Sequence, residues 1–108
     1  MIHLIDIEAL RHYYMEDMVF VTQHTAKRFR ERGIRMADIK SALFTGHIIE
    51  QYEGTFPFPS CLFCGISSTG KPIHVVMSDE GTASRIITCY FPDPDRWDET
   101  FTIRKQKG

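Results

Sequence analysis

Residues 61–91 read CLFCGISSTGKPIHVVMSDEGTASRIITCYF. Three apolar, β-branched runs, at 61–66, 73–77 and 85–91, are separated by Ser67-Ser68-Thr69-Gly70 and by Asp79-Glu80-Gly81. Runs of that length with turn residues between them are strands joined by hairpins. Upstream, residues 47–53 hold another strand, Ile48-Ile49-Glu50-Gln51-Tyr52. The prolines of Gly54-Thr55-Phe56-Pro57-Phe58-Pro59 then forbid regular ladder pairing. Before Gly46 the period changes. Leu4, Ile7, Leu10 and Tyr14 recur at helical spacing over residues 5–17. Val19-Phe20-Val21 is a short apolar step. Thr22 is placed to cap a helix running to about Arg32, and Gly33 to stop it. Residues 35–45 repeat the logic, with Met36, Ile39, Ala42 and Leu43 on one face and Gly46 as the close. Pro92-Asp93-Pro94-Asp95 ends the sheet, and Trp97 and Phe101 anchor the tail. Helices followed by an antiparallel meander predict an α+β fold, with N-terminal helices packed on a roughly four-stranded sheet.

Length and composition set the outer bounds. A chain of 108 residues fits one compact domain. Residues 1–18 are its helical extension and 19–104 its body. Hydrophobic residues at 43% and charged residues at 25% exclude a disordered, collagen-like or rod-like chain. No apolar run approaches the roughly 18 residues of a spanning helix, so no membrane partner is expected. The start, MIHLIDIEALRHYY, carries Asp6 and Glu8 and lacks the basic lead of a secretory signal, which points to the cytoplasm. Three cysteines fit reduced thiols rather than a disulfide scaffold.

The net charge of −1 hides a local concentration. Lys27, Arg28, Arg30, Arg32, Arg35 and Lys40 crowd one stretch, opposed only by Glu31 and Asp38. Along the helix after Thr22, His24, Arg28 and Arg32 recur every four residues and share a side. Thr22, Ala26 and Phe29 fall on the other side and face the core. An imidazole beside fixed guanidiniums is equipment for a phosphodiester: arginine offers planar, permanent donors, and histidine titrates near neutral pH. Lys27, Arg32 and Arg35 are the further candidates for phosphate contact. The competing reading is a solvated helix face, with Glu31 paired to Arg28 or Lys27.

In the run at 73–77, alternation puts His74 and Val76 on one face of the sheet and Ile73, Val75 and Met77 on the other. A histidine in an apolar strand needs a hydrogen-bond partner or an open cleft. In the last run Thr88 and Tyr90 share a face, opposite Ile87 and Cys89. Two neighbouring hydroxyls would orient a phosphate, and ordinary cross-strand packing explains them as well. Cys61-Leu62-Phe63-Cys64 has C-x-x-C spacing, but on a strand its thiols point to opposite faces. Zinc would need Cys89 and a histidine such as His47 to converge on it, so no metal and no other cofactor is expected. Ser67-Ser68-Thr69-Gly70-Lys71 lacks the spacing of a phosphate loop and is a turn. Tyr13, Tyr14, Phe56 and Phe58 are candidates for base stacking, with core or turn packing as the simpler account.

Several motifs follow one another in order. They are His24-x3-Arg28-x2-Glu31-Arg32-Gly33-Ile34, Gly46-x-Ile48-Ile49-Glu50-x-Tyr52 and Pro57-x-Pro59-Ser60. They continue with Lys71-Pro72-x-His74-Val75-Val76, Ile87-Thr88-x-Tyr90-x-Pro92 and Trp97. Over about residues 20–104 this order and spacing resembles the DUF4258-type domain, a family of small bacterial proteins. The resemblance implies the barnase/EndoU/colicin/RelE-like fold of metal-independent ribonucleases, near toxins such as RelE, BrnT and MqsR. It implies functional positions at His24, Arg28, His74, Thr88 and Tyr90, supported by Arg32. It also implies a cognate antitoxin as partner, either a zinc-ribbon or a DNA-binding protein. The segment before Val19 lies outside the resemblance.

The expected function is therefore a metal-independent endoribonuclease toxin of a bacterial toxin–antitoxin system, with RNA as substrate. One histidine would take the proton of a ribose hydroxyl as it attacks the adjacent phosphate. A second group would protonate the leaving oxygen, and Arg28 and Arg32 would stabilise charge on the phosphate oxygens. The rivals are a non-catalytic RNA- or protein-binding module and a small zinc or redox domain built on Cys61, Cys64 and Cys89. The catalytic reading requires the His24 stripe and His74 to meet around one anion-sized hollow.

Overall fold

The computed structural model describes residues 4–106. Helix α1 (Ile7–Met15) begins where the Asp6 carboxylate accepts a hydrogen bond from the Glu8 amide at 2.9 Å. Strand β1 (Val19–Phe20) follows. Helix α2 (Gln23–Glu31) is capped by Thr22, whose hydroxyl accepts from the Thr25 amide at 3.1 Å. It ends because Gly33 takes a left-handed conformation, φ 71°, which costs glycine little. Helix α3 (Met36–Thr45) leads into the strands β2 (His47–Tyr52), β3 (Ser60–Ile66), β4 (Pro72–Ser78) and β5 (Ser84–Tyr90).

The strands form one sheet in the order β1-β5-β4-β3-β2. The four long strands make the expected antiparallel meander. The fifth strand was not expected. Val19 and Phe20 pair in parallel with Ser84 and Arg85, and the Ser84 amide donates to the Met18 carbonyl at 3.0 Å. A two-residue strand is too short to show alternation in sequence, so it read only as an apolar step.

One face of the sheet carries the main core. Cys61, Phe63, Ile73, Val75, Met77, Ile86 and Cys89 pack against Leu10, Phe29, Ile34, Ile39, Ala42 and Leu43 of the helical layer. Each fully buried Leu, Ile or Phe in such a layer contributes about 1.5–3 kcal/mol. Helix α3 lies so close to β3 that only glycine fits there. A Cβ on Gly65 would stand 2.1 Å from the Ala42 carbonyl oxygen, and one on Gly46 would stand 2.3 Å from the Cys64 carbonyl oxygen.

Two local expectations change. Met36 does not share the buried face of α3, because it is the first residue of the helix and stays 42% exposed. Ile87 does not turn inward with Cys89. The β4–β5 register shifts between Ile86 and Thr88, and this bulge turns Ile87 out to 42% exposure. The second face carries Glu50, Tyr52, Leu62, Cys64, His74, Val76 and Tyr90 and is closed by the segment at 92–106. No helix among the described residues is long and apolar enough to cross a membrane.

Candidate functional site

Helix α2 presents its charge outward, but of the three residues expected to face the core only Phe29 is buried; Ala26 is half-buried and Thr22, as the cap, is exposed. Phe29 is buried against the core, while His24, Lys27, Arg28, Arg30 and Arg32 are exposed. Among the described residues Lys27, Arg28 and Arg30 form no ion pair, so the pairing of Glu31 with Arg28 or Lys27 is not made. Arg32 bends to the outer edge of β5. Its guanidinium donates to the Cys89 carbonyl at 2.6 Å and to the Thr88 hydroxyl at 3.3 Å. Arg35 precedes α3, where its amide donates to the Asp38 carboxylate at 2.9 Å. Asp38 also accepts from the Ser68 side chain and amide. The Ser68 hydrogen bond, then the Arg35 amide, holds its carboxyl below the usual carboxylate range.

His74 has a different setting. It is fully buried, on the sheet face away from the helical layer. Its Nε2 lies 2.7 Å from the Phe101 carbonyl and its Nδ1 3.3 Å from the Tyr90 hydroxyl. A carbonyl only accepts, so Nε2 carries the proton and Nδ1 accepts from Tyr90. The Trp97 ring stands edge-on to the imidazole, with centroids 4.4 Å apart. Burial lowers the His74 pKa below its ordinary 6.5; the Phe101 contact and the Glu50 carboxylate oppose that only in part. The imidazole is neutral at pH 7.

A second group of polar residues surrounds this histidine. Arg104 clasps Glu50 with two hydrogen bonds, Nε to Oε2 at 2.8 Å and a terminal nitrogen to Oε1 at 3.0 Å. Tyr52 donates to the same carboxylate. The Arg104 guanidinium also lies over the Trp97 ring, 4.6 Å from its centroid. The Arg104 hydrogen bonds hold Glu50 below the usual range. Burial and the Glu50 contact push Tyr52 up to about 12, and burial raises Tyr90. The face thus holds a carboxylate, a neutral imidazole, two protonated phenols and a guanidinium in one network.

The structure joins His74 to Tyr90 and Arg32 to Thr88. It does not assemble His24 and Arg28 with His74. Those two side chains are exposed on α2, which packs with Phe29 toward the core side of the sheet, while His74 lies on the other side with no exposed surface. As folded, no phosphate touches that imidazole. The expected pairing of His24 with His74 is therefore replaced by two separate surfaces.

Glu50, Tyr52 and Arg104 carried no assigned role in the sequence, although Glu50 and Tyr52 stand two apart on one strand face. Arg104 bonds to Glu50 across 54 positions, and no local pattern signals such a pair. The three cysteines are free and buried. Cys61 packs in the main core and Cys64 points to the opposite face, as the strand reading required. Among the described residues no cluster of histidine, cysteine and carboxylate side chains is arranged to hold a metal ion.

Residues 21–91, about two thirds of the chain, match the family described as "Domain of unknown function (DUF4258)". The chain belongs to the DUF4258 family. The match begins one residue past β1 and ends one residue past β5, so the DUF4258 region holds the basic helix, His74, Thr88, Tyr90 and Glu50. It excludes α1 and the segment that covers His74. No curated protein and no solved structure matches the chain.

Proposed function

We propose that this DUF4258 protein binds RNA through the basic side of α2. The observation that carries the reading is the row of exposed cations on that helix, Lys27, Arg28 and Arg30, with no carboxylate paired to them among the described residues. Cations left without protein partners are free to replace the counterions of a phosphate backbone, the main source of affinity in such complexes. His24 and Arg32 flank the row, and Arg35 follows at the start of α3. The test is binding of a fluorescent single-stranded RNA at several salt concentrations, by the wild type and by a Lys27→Glu/Arg28→Glu variant. Affinity that falls with salt in the wild type and is lost in the variant supports the reading. Equal binding by both proteins, or no binding at low salt, removes it.

A second reading keeps the toxin-type endoribonuclease implied by the resemblance but gives up the His24–His74 site, which the fold separates, and moves the chemistry to the second sheet face alone. The grouping of Glu50, Tyr52, His74 and Tyr90 on one sheet face favours it, because metal-free RNA cleavage needs a base and an acid within reach of one phosphate. His74 and Glu50 are the candidate acid–base pair of that set. An antitoxin of either expected kind would lay an acidic segment along α2. Cleavage of a mixed RNA in EDTA, compared among wild type, Glu50→Gln and His74→Gln, decides between binding alone and binding with cleavage. Cleavage lost in both variants supports the enzyme. RNA left intact by the wild type leaves the binding module.

A further inference from the structure

We infer that residues 92–106 form a strap that opens as a unit and uncovers Glu50, Tyr52, His74 and Tyr90 on the second sheet face. What the uncovered groups then do rests on the ribonuclease reading above. The opening itself does not.

The strap is built to hold its own shape. Its backbone hydrogen bonds run within it: Trp97 to Asp93 at 3.1 Å, Asp98 to Ile103 at 2.9 Å, Phe101 to Asp98 at 3.0 Å and Lys105 to Arg96 at 2.8 Å. The Asp98 carboxylate binds the turn, accepting from the Thr102 amide at 3.0 Å, the Ile103 amide at 3.2 Å and the Thr100 hydroxyl. Trp97 and Arg104 bridge the two arms. A segment satisfied internally keeps its backbone bonds when it lifts, so lifting does not expose orphaned amides.

Its polar ties to the sheet are few by contrast. They are the Phe101 carbonyl on His74 Nε2, the Arg104 fork on Glu50 with Tyr52 beside it, and the Trp97 ring against the imidazole. The fork is partly in solvent, with Arg104 59% exposed, so water competes for it. The tie at His74 is a single hydrogen bond, accepted by a carbonyl at the tip of the strap's own turn, where Phe101 takes a left-handed conformation, φ 59°.

The boundary of the family match agrees with this division. The match covers the sheet face and its four groups and stops at residue 91, where Pro92 begins the strap. Within the matched region His74 and Glu50 each keep one partner, Tyr90 and Tyr52, and each takes another, the Phe101 carbonyl and Arg104, from outside it. The strap's carbonyl and guanidinium occupy the positions that a ligand's acceptor and donor groups would take on His74 and Glu50.

Accessibility of the covered side chains in the full chain tests the strap without any ligand. The strap's own amides stay bonded within it when it lifts, so the readouts are acrylamide quenching of Trp97, the single tryptophan, and modification of His74 by diethyl pyrocarbonate followed by peptide mapping. Arg104→Gln and Glu50→Gln, which break the clasp from opposite sides, should raise both in parallel, several-fold, and leave hydrogen exchange of the Val75 and Phe63 amides unchanged. His74 and Trp97 that become accessible only as fast as those sheet amides exchange, in the variants as in the wild type, overturn the proposal. Opening as described with no RNA cleavage by any variant removes the ribonuclease reading and leaves the strap standing. RNA cleavage by a wild type whose strap never opens separately does the reverse.

Discussion

The two faces of this sheet are sealed by different physics. On the first, Phe63, Ile73, Val75 and Met77 meet the aliphatic side chains of the helical layer, and α3 comes within backbone distance of β3 at Gly65. The side chains that meet there are uncharged. On the second, a buried imidazole, a carboxylate and two phenols are closed over by fifteen-odd residues through a carbonyl, a guanidinium and an indole. Dispersion and apolar burial make the first closure permanent, because separating it exposes area at about 25 cal/mol per Å². The second closure sets one buried indole among polar ties that exchange with water, each tie worth on the order of 1 kcal/mol net. The contrast says that the first face specifies the fold and the second is where the fold has freedom.

The sharpest way to break the first face is Gly65→Ala. The added methyl would fall on the Ala42 carbonyl and Cα, which are backbone atoms with no rotamer to yield. Overpacking of this kind costs about 1–3 kcal/mol when side chains give way, and more where they cannot. We expect no cooperative thermal unfolding transition for this variant by circular dichroism. A melt within a few degrees of wild type would show that α3 shifts freely on the sheet.

On the second face the largest single effect belongs to Trp97→Ala. The indole is buried between His74 and Arg104, and removal of a buried Trp costs about 3–5 kcal/mol when the cavity stays open. A strap that can lift relaxes the cavity, so the expected loss is at or below about 3 kcal/mol by denaturant titration. A full loss of 5 kcal/mol would place the strap in the same rigid unit as the helical face.

The sequence was legible in proportion to how local each feature is. The hairpins from β3 to β5 were readable because their turns and runs are contiguous, and the orientation of His74 followed from alternation alone. The cationic side of α2 was readable for the same reason, since helical spacing brings His24, Arg28 and Arg32 together. What closes over His74 was not. Its hydrogen-bond partner is a backbone carbonyl, which every residue possesses, and it arrives from a tail without periodicity. The bulge at Ile87 was equally hidden, because one extra residue in a strand leaves no mark on composition. The expected union of the two histidines failed at this point: each was placed on its own element, and the relation between the elements is set by the sheet that separates them.

The cationic surface gives the next prediction, which bears on function rather than stability. Lys27→Glu/Arg28→Glu removes two positive charges from an exposed helix face and should change the melting temperature little. RNA affinity should drop at least tenfold, about 1.4 kcal/mol. The slope of log K against log salt should shrink by about 0.7 for each lost phosphate contact on single-stranded RNA. An unchanged slope with weaker binding would mean that α2 positions a partner without touching its phosphates.

The smallest effect distinguishes the faces most directly, because only the second contains a buried titratable ring. Burial holds His74 below its ordinary pKa of 6.5, so the unfolded chain takes up a proton that the folded chain refuses. Above pH 6.5 the histidine adds no pH dependence. As pH falls from 6.5 toward its folded value, stability should decline, by at most about 1.4 kcal/mol per pH unit. Glu50 and Arg104 face the ring with opposite charges, and Glu50 stays ionised through this window because its own pKa is lowered. His74→Gln should therefore flatten the decline that begins below pH 6.5 while leaving the later one, where Glu50 protonates below its usual range. If opening of the strap is what admits the proton, acrylamide quenching of Trp97 should rise over the same pH interval, while the sheet amides should exchange no faster than intrinsic exchange chemistry predicts. Quenching that rises only in step with exchange of the sheet amides would mean that the proton enters only by global unfolding, and the second face would then be as permanent as the first.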